Sequence, residues 1–438
     1  MDKIVINGGK ALFGKVKISG AKNASLPLIT ASLLTDKPLF LHNVPDLADI
    51  RTLHKILASL GVKVTQKAEH SWEYQADGIT SFTAEYDLVK TMRASFLVLG
   101  PLLARFGECK AALPGGCAIG LRPVNFHLDA LREMGADIEI QEGYVYATTY
   151  GKRLKGAEIT FPKVSVGATE NTLMAATLAE GTTILNNASI EPEITDLAEC
   201  LQSMGADISG IGTSRLVING VESLHEATHS IIPDRIESIT YAIAAAITKG
   251  KIEITDARLD HITAVADALT AMGAEIKPLP NGFSCSGEGK EIKGIDIVTT
   301  PYPGFPTDAQ AQIMALMLTA HGQSTINETV FENRFMHVPE MQRMNADIQL
   351  TDAFSVTIAG SSELKGAPVM ASDLRASAGL VLAALAAHGE TVIDRVYHLD
   401  RGYEDIEAKL SACGADIRRI KAPVKGDSEN GNSDNITA

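Results

Sequence analysis

The sequence predicts an α/β protein made of six like units of about 70 residues, with helices packed inside surrounding sheets. Three observations predict this fold class. A helix-ending signature recurs six times along the 438 residues, which is typical of one structural unit used repeatedly. Six helical segments are apolar nearly all round, as buried helices are. The glycine-rich fingerprint of a dinucleotide-binding sheet is missing, so a doubly wound parallel sheet is not favoured.

The repeated signature consists of an apolar residue, a glycine or asparagine, and the start of a strand. The central residues are Gly61, Gly135, Gly205, Gly273, Asn345 and Gly414. Glycine adopts the left-handed conformation that caps a helix at no steric cost, and asparagine is the next best choice. We therefore predict that an amphipathic helix, such as 124–134, ends at each cap. The apolar position before the cap predicts a buried thiol at Cys413. Acidic residues two places after the cap are predicted on the solvent face of a strand.

A second helix in each unit is rich in small and apolar residues. These helices are predicted at 24–34, 92–104, 171–179, 236–248, 309–320 and 374–387. Three units per domain give two domains, each with approximate threefold symmetry. The polar tail at 424–438 is predicted to be disordered because it cannot bury enough apolar surface.

Charged residues stand at the starts of these buried helices. They are Lys22 beside Asn23, Arg93, Lys163, Arg235, Asp308 and Arg375. A helix N-terminus already favours anions, so cations there do not help the helix itself. Their recurrence in repeat register predicts a shared site, although a surface or capping charge is the alternative for any one of them. Arg122, Arg334 and Arg401 follow strands, and arginine suits phosphate and carboxylate groups.

One loop, Pro114 to Pro123, carries three glycines and a cysteine between two prolines. Glycines permit unusual backbone angles, so such a loop could close over a substrate. A thiol between flexible glycines and near arginine is expected to have a lowered pKa, so Cys117 is predicted to be reactive. The alternative is an ordinary loop with a buried cysteine.

Composition limits the possible partners. The net charge of −14 argues against nucleic acid, so any anion site needs a local convergence of cations. No apolar stretch is long enough for a membrane span, and the first residues do not resemble a secretory signal. Five cysteines without a CxxC pair predict neither a metal site nor disulfides, and favour the cytoplasm. The sequence predicts no oligomeric state.

Several segments resemble the UDP-N-acetylglucosamine enolpyruvyl transferase family. They are PGGCAIGLRPVNFH from 114, SGAKNASLPL at 19–28, YDLVKTMRAS at 86–95, KVSVGATE at 163–170, PYPGFPTDAQAQ at 301–312, ETVFENRFMHVPE at 328–340, DLRASAGLVLA at 373–383 and YHLDRGYEDIE at 397–407. The resemblance covers about residues 1–422. It implies a two-domain inside-out α/β barrel, with one domain at 21–232 and the other at 1–20 plus 233–423.

The resemblance also implies a reaction and its substrates. The enolpyruvyl group of phosphoenolpyruvate moves to the 3-hydroxyl of UDP-N-acetylglucosamine through a tetrahedral ketal, and phosphate leaves. No cofactor and no metal are implied. A base must take the hydroxyl proton, an acid must protonate C3 of phosphoenolpyruvate, and cations must hold its phosphate and carboxylate.

The family's motif positions are carried over residue by residue. The positions that match catalytic residues are Cys117, Asp308, Lys22 and Arg401, where Asp308 matches the general base and Cys117 the thiol alkylated by the antibiotic fosfomycin. The matches to UDP-sugar contacts are Lys22, Asn23, Arg122, Ser165, Val166, Gly167, Asp308 and Val330. The matches to phosphoenolpyruvate contacts are Lys22, Arg93, Arg122, Arg334, Arg375 and Arg401. Supporting positions are His127, Lys163, Arg235, Glu332 and Asp373.

One segment departs from the family pattern. Residues 43–49 are acidic and apolar where many members carry lysines, which leaves the hinge contacts and the energetics of domain closure open. Two alternatives to the main reading stay open. One is an enzyme like 5-enolpyruvylshikimate-3-phosphate synthase, and the other is a catalytically silent protein that binds a UDP-sugar.

Overall fold

Strands and helices alternate in the same order six times along the chain. The computed structural model describes residues 2–89, 92–113 and 124–421, without the side chains of Leu88 and Arg93. The predicted loop at 114–123, with Cys117 and Arg122, and the predicted tail at 424–438 lie outside the described residues.

The described strands are short and number 24. They are β1 (Lys3–Asn7), β2 (Phe13–Lys17), β3 (Leu39–His42), β4 (Lys63–Ala68), β5 (Ser71–Gln75), β6 (Thr83–Ala84), β7 (Glu108–Ala112), β8 (Asp137–Gln141), β9 (Tyr144–Thr148), β10 (Glu158–Thr160), β11 (Thr182–Asn186), β12 (Asp207–Ser209), β13 (Arg215–Asn219), β14 (Ala227–Ser230), β15 (Lys251–Thr255), β16 (Glu275–Leu279), β17 (Gly282–Ser286), β18 (Ile297–Val298), β19 (Ser324–Asn327), β20 (Ile348–Leu350), β21 (Ser355–Ile358), β22 (Pro368–Met370), β23 (Glu390–Asp394) and β24 (Asp416–Ile420).

The helices fall into the buried and amphipathic sets that the sequence predicts. They are α1 (Lys22–Ala31), α2 (Ala48–Leu60), α3 (Tyr86–Val89), α4 (Leu99–Phe106), α5 (Asn125–Glu133), α6 (Val166–Ala176), α7 (Pro192–Ser203), α8 (Arg235–Ile247), α9 (Thr263–Met272), α10 (Gln310–Thr319), α11 (Val338–Arg343), α12 (Leu374–Ala386) and α13 (Ile406–Ala412). Short 3-10 helices cover Ser32–Leu34, Arg93–Val98, Leu259–Ile262, Thr307–Ala309 and Val396–Arg401. No helix within the described ranges is long and apolar enough to cross a membrane.

Each unit folds into one four-stranded sheet. In the sheet of order β10-β11-β13-β12, the first pair is parallel and the other two pairs are antiparallel. The other five sheets are β14-β3-β5-β4, β6-β7-β9-β8, β16-β17-β15-β2, β18-β19-β21-β20 and β22-β23-β1-β24. The predicted fold class is therefore confirmed, with one clarification. The six described sheets are separate four-stranded sheets, and none of them closes into a barrel.

The first two strands complete sheets that belong to the second half of the chain. β1 lies between β23 and β24 and is antiparallel to both. β2 is parallel to β15 at the edge of its sheet. In the same way, β14 returns to pair with β3 and closes the first unit. The chain therefore crosses twice between its two halves, near residues 20 and 233.

The predicted helix caps are confirmed at all six positions. Their φ angles are 106° at Gly61, 93° at Gly135, 101° at Gly205, 107° at Gly273, 68° at Asn345 and 98° at Gly414. The apolar residues before the caps are buried, including Cys413 as predicted. The acidic residues after the caps are exposed or partly exposed at Asp137, Asp207, Glu275, Asp347 and Asp416, which agrees with the predicted solvent face.

The buried side chains form two separate clusters. The N-terminal core runs from Ala21 to Ile231, and the C-terminal core combines Ile4 to Ile18 with Ile236 to Ile417. All six predicted buried helices are present, although α6 begins at Val166 rather than at 171. The two cores support a division at 21–232 and at 1–20 plus 233–423, which we keep as a proposal.

The two crossing segments run side by side. The backbone N–H of Ala21 donates to Ile232 at 2.8 Å, and that of Asp234 donates to Ser19 at 2.9 Å. Gly20 forms an antiparallel bridge with Pro233. A Cβ atom at Gly20 would lie 1.7 Å from the carbonyl oxygen of Asn43, so only glycine fits this crossing.

Candidate active site

An ion cluster lies where α1 begins and where the two cores meet. The Lys22 ammonium is 3.5 Å from the Asp49 carboxylate, and Asp49 also accepts from Nε and Nη2 of Arg401 at 2.9 and 3.4 Å. Lys22 is the first residue of α1, Asp49 lies in the first turn of α2, and Arg401 ends a 3-10 helix. The first two belong to the N-terminal side and the third to the C-terminal side.

A second carboxylate, that of Asp308, lies between two arginines. Arg375 Nε and Nη2 both approach its Oδ2 at 3.2 Å, and Arg334 Nη2 donates to its Oδ1. Asp308 lies in the 3-10 helix Thr307–Ala309 that leads into α10, and Arg375 is the second residue of α12. Both arginines are buried. The pair of guanidinium groups therefore fixes the position of the Asp308 carboxylate.

The two ion clusters are close enough to act on each other. Burial is the largest effect on Lys22 and lowers the pKa of its ammonium group, while Asp49 opposes that change. Arg375 and Arg401 lower the pKa further, and Asp308 raises it. Predicted residues Lys22, Asp308, Arg375 and Arg401 thus share one electrostatic environment, and Arg334 contacts Asp308 within it.

A buried hydrogen-bond chain supports Arg375 and Asp308 from behind. Gln312 Nε2 donates to the backbone oxygen of Asp308 at 2.8 Å, and the hydroxyls of Thr240 and Tyr403 lie 2.8 Å apart. Burial opposes the charge of Arg375, but Asp308 and then Tyr403 favour it. The pKa of Arg375 therefore lies above its usual range. This guanidinium is a permanent cation.

Carboxylates cap the helix starts that carry cations. Asp234 caps α8 by accepting from Ile236 and Glu237 through Oδ1, and its Oδ2 accepts from the backbone N–H of Lys22 at 3.0 Å. Asp373 caps α12 by accepting from the backbone N–H groups of Arg375 and Ala376. Each carboxylate satisfies free N–H groups and offsets a neighbouring cation. Asp373, predicted as a supporting residue, is a helix cap in this structure.

Arg235 pairs with a carboxylate instead of facing open space. Its Nε lies 2.9 Å from Glu193, which is at the start of α7. Glu191 and Glu170 are buried close by. Burial, followed by the charges of Glu193 and Glu191, raises the pKa of Glu170 to about 8. Burial lowers the pKa of Arg235, whereas Glu193, Glu191 and Asp308 raise it. This predicted site residue is therefore within reach of both the acidic cluster and Asp308.

The predicted UDP-sugar residues of the KVSVGATE segment lie at the start of α6. Ser165 is the N-cap, and its hydroxyl accepts from the Ala168 N–H at 3.4 Å. Gly167 lies against the His127 ring, because a Cβ there would lie 3.2 Å from Cε1 of the ring. His127 is buried and lies 3.1 Å from the Asn171 amide, so it fixes α5 against α6. Val166 occupies the first helical position, and Lys163 is exposed just before it.

The loop after β19 carries Val330 and Glu332, and Glu328 ties it to Thr307, the residue before Asp308. The Thr307 hydroxyl donates to Glu328 Oε2 at 2.9 Å, and the Val330 N–H donates to Glu328 Oε1 at 2.9 Å. Glu328 is 1% exposed. Glu332 is exposed, and Asn23 is partly exposed beside Lys22.

Three predicted site residues cannot be placed. Cys117 and Arg122 lie outside the described residues, and Arg93 is described by its backbone only, as the first residue of Arg93–Val98. Sequence reasoning missed Asp49, Asp234 and Glu328. Asp49 carried a signal, because it stands in line with the buried Leu53, Ile56 and Leu60 on the apolar face of α2. A carboxylate on that face needs a buried partner.

The fold matches that of solved transferases of one class. An enolpyruvyl transferase, NikO from Streptomyces tendae, superposes with a TM-score of 0.87 at 27% identity, covering 96% of this chain and 99% of that one. An EPSP synthase from Acinetobacter baumannii superposes with a TM-score of 0.74 at 19% identity, and shows the fold alone. The fold of the six units is therefore that of enolpyruvyl transferases.

Sequence comparison gives the family directly. The model of the EPSP synthase (3-phosphoshikimate 1-carboxyvinyltransferase) family matches residues 6–410, so the chain belongs to this family of enolpyruvyl transferases. A UDP-N-acetylglucosamine 1-carboxyvinyltransferase of Paramagnetospirillum magneticum is 57% identical over 97% of this chain and 100% of its own length. One from Coxiella burnetii is 53% identical, covering 97% of both chains.

Proposed function

We propose that the protein transfers the enolpyruvyl group of phosphoenolpyruvate to the 3-hydroxyl of UDP-N-acetylglucosamine and releases phosphate. One observation carries the proposal: Lys22, Arg401, Arg375 and Asp308 converge where the two cores meet, in a chain of net charge −14. Such a cluster suits a small dianionic or trianionic substrate. The names and high identity of the full-length relatives support the choice of the two substrates.

In this reaction Asp308 acts as the base. It takes the proton of the sugar 3-hydroxyl as that oxygen bonds to C2 of phosphoenolpyruvate, and C3 gains a proton to give the tetrahedral ketal. Loss of phosphate and of a C3 proton then leaves the enolpyruvyl ether. The proposed acid at C3 is Cys117. The main support for Asp308 as the base is its pair of hydrogen bonds from Arg375 and Arg334, which fix the position of the carboxylate for proton transfer.

The binding roles divide between the two substrates. Lys22, Arg93, Arg122, Arg334, Arg375 and Arg401 hold phosphoenolpyruvate. Asn23, Ser165, Val166, Gly167 and Val330 contact the UDP-sugar together with Lys22, Arg122 and Asp308. The free N–H groups at the start of α6 support a phosphate or carbonyl contact there. The free thiols of Cys109, Cys200, Cys285 and Cys413 support the cytoplasmic location proposed from the sequence.

Two alternatives make different predictions. An enzyme like 5-enolpyruvylshikimate-3-phosphate synthase would release phosphate with shikimate 3-phosphate and not with the UDP-sugar. A silent UDP-sugar binder would release none. Phosphate release is therefore measured with each acceptor, with and without phosphoenolpyruvate. We expect phosphate release only when phosphoenolpyruvate and UDP-N-acetylglucosamine are both present. If neither acceptor gives phosphate release, the proposal is refuted.

Fosfomycin tests the proposed thiol at the same time. We expect fosfomycin to alkylate Cys117 and stop phosphate release in the unmodified chain. Cys117→Asp keeps an acid at this place but removes the nucleophilic sulfur, so turnover should persist in the presence of the drug. Cys109→Ser, which changes a buried thiol elsewhere, is the matched control and should stay sensitive. Mass spectrometry showing alkylation of the Cys117→Asp chain would contradict the assignment.

A further inference from the structure

Asp49 is the buried carboxylate that joins the two halves at the ion cluster. It is 4% exposed and contacts Arg401 through both of its oxygens and Lys22 through Oδ2. Its neighbours Leu47 and Ile50 belong to the N-terminal core, whereas Leu399 and Tyr403, which flank Arg401, belong to the C-terminal core. The Asp49–Arg401 pair therefore bridges the two cores.

The geometry of this bridge resembles that of a bound anion. A carboxylate facing Nε and Nη2 of an arginine presents two oxygens to two parallel donors, as a substrate carboxylate or phosphate would. Lys22 adds a second cation to the same oxygen that faces Nη2. The start of α2 also favours a negative charge at this place, through free N–H groups and the helix dipole.

We propose that Asp49 is a positioning residue, an internal counter-anion that holds Lys22 and Arg401 in place before the anionic substrate arrives. The inference rests on the proposed function, because it takes these two cations as contacts of phosphoenolpyruvate. Without Asp49, Lys22 and Arg401 would lose the carboxylate that they share, and Arg401 would lose this tie to the N-terminal side. The acidic segment 43–49 thus contributes a contact between the halves.

A competing view gives Asp49 the opposite effect. A carboxylate beside an anion site repels an incoming anion, so a mere neighbour would weaken substrate binding. Its removal would then lower the KM for phosphoenolpyruvate. If Asp49 positions the cations, its removal raises that KM, because the substrate must order them itself. The sign of the change separates the two views.

The charge of Lys22 supplies a second readout. Within the described part of the chain, the charged groups that act on Lys22 are Asp49 on α2, Arg401 on its 3-10 helix, Arg375 on α12 and Asp308 before α10. The backbone N–H of Lys22 bonds to Asp234. Asp49 is the foremost of those that raise the pKa of Lys22 against burial. Loss of its charge therefore lowers the pKa of Lys22 further. The alkaline limb of kcat/KM should move to lower pH.

The test compares Asp49→Asn with Asp46→Asn, which removes the same charge from an exposed position three residues earlier. Phosphate release at varied phosphoenolpyruvate should give a KM raised about tenfold or more for Asp49→Asn, as expected for a lost charged hydrogen bond. Its alkaline limb should shift to lower pH, and Asp46→Asn should match the unmodified chain. An unchanged or lower KM, or an unmoved alkaline limb, overturns the proposal.

Two further measurements keep the inference separate from the proposed function. If the unmodified chain releases no phosphate, the proposed function fails and solution scattering of the substrate-free chain decides. Asp49→Asn should then show a larger radius of gyration than the unmodified chain, and equal radii overturn the bridge. If Asp49→Asn does not fold, Asp49→Glu replaces it. That variant keeps the charge but displaces it, so it should raise the KM and leave the alkaline limb in place, and a normal KM overturns the proposal.

Discussion

At the scale of single residues, the site depends on carboxylates that are each shared by several donors. Asp308 serves two arginines, Asp49 serves an arginine and a lysine, and Asp234 serves the starts of two helices. A shared carboxylate fixes the relative position of its donors, because each donor is bonded to the same group. The positions of the cations are therefore set before substrate binds.

Replacement of Asp308 by asparagine tests its role as the base. Asp308→Asn keeps the size of the side chain but removes the group that accepts the proton, so we expect kcat to fall by about 100-fold or more. The affinity for UDP-N-acetylglucosamine, measured by calorimetry, should change much less. Asp347→Asn, at an exposed carboxylate after a helix cap, is the control and should leave kcat unchanged. A kcat within threefold of the unmodified value would count against Asp308 as the base.

The sequence could predict a site residue where its signal is local, and could not where its partner is distant in the chain. The cations at helix starts were predicted because the repeat brings them into register. Asp49 was not, since its partner Arg401 stands 352 residues away and no local pattern joins them. Arg235 is a second case of a distant partner. Its place in the repeat indicated the site, and its carboxylate partner Glu193 stands on another unit. Long-range ion pairs decide these assignments.

At the scale of elements, the helix caps were the most predictable feature. A cap depends on the conformation of one residue, so glycine and asparagine identified all six. The start of α6 was less predictable. Gly167 and Thr169 favour helix weakly, yet Ser165 caps the helix and Gly167 allows His127 to pack against its first turn. Tertiary packing therefore extended α6 beyond what local propensity indicated.

The caps lead to a prediction about stability. Gly135 has a φ of 93° and open space where a Cβ would lie, so its substitution by alanine tests conformation alone. Gly135→Ala should lower the free energy of unfolding by about 1–2 kcal/mol, measured by urea denaturation. Gly78→Ala is the matched control, because Gly78 does not have a positive φ and a Cβ there meets its nearest atom at 3.8 Å. Equal effects at the two positions would contradict the role of the left-handed cap.

At the scale of the whole molecule, the excess of negative charge and the cations of the site lie in different places. The chain carries a net charge of −14, yet cations gather where the two cores meet. Beside them lies the acidic cluster of Glu170, Glu191 and Glu193, which faces Arg235. Among the described residues one cation faces three carboxyl groups there, and burial raises the pKa of Glu170 and of Glu191. The stability of the molecule should therefore depend on pH through this cluster.

The expected sign follows from Glu170. Its pKa rises from an ordinary 4.5 to about 8 on folding, so the folded chain holds a proton that the unfolded chain has lost between those values. Stability should thus decrease as pH rises from about 4.5 to about 8. Glu170→Gln cannot ionise, and should raise the free energy of unfolding at pH 8 by a few kcal/mol, with little change near pH 4.5. Thermal unfolding at both pH values measures this.

A surface carboxylate controls for the general effect of charge. Glu222→Gln removes an exposed charge and should change the pH dependence of stability very little. If Glu170→Gln and the unmodified chain lose stability equally between the two pH values, Glu170 does not hold the extra proton.

The place of β1 and β2 in the fold has a consequence for synthesis. These strands leave the ribosome before any of their partners, and β1 must wait for β23 and β24, near the other end of the chain. Residues 21–232 can complete their three sheets during translation, and the sheet of β2 can close once β17 has emerged. The sheet of β1 closes only after β24. Until then β1 lacks both of its partners and presents unpaired edges, which are the surfaces on which nascent chains associate. A chaperone that shields β1 would therefore protect the sheet that closes last.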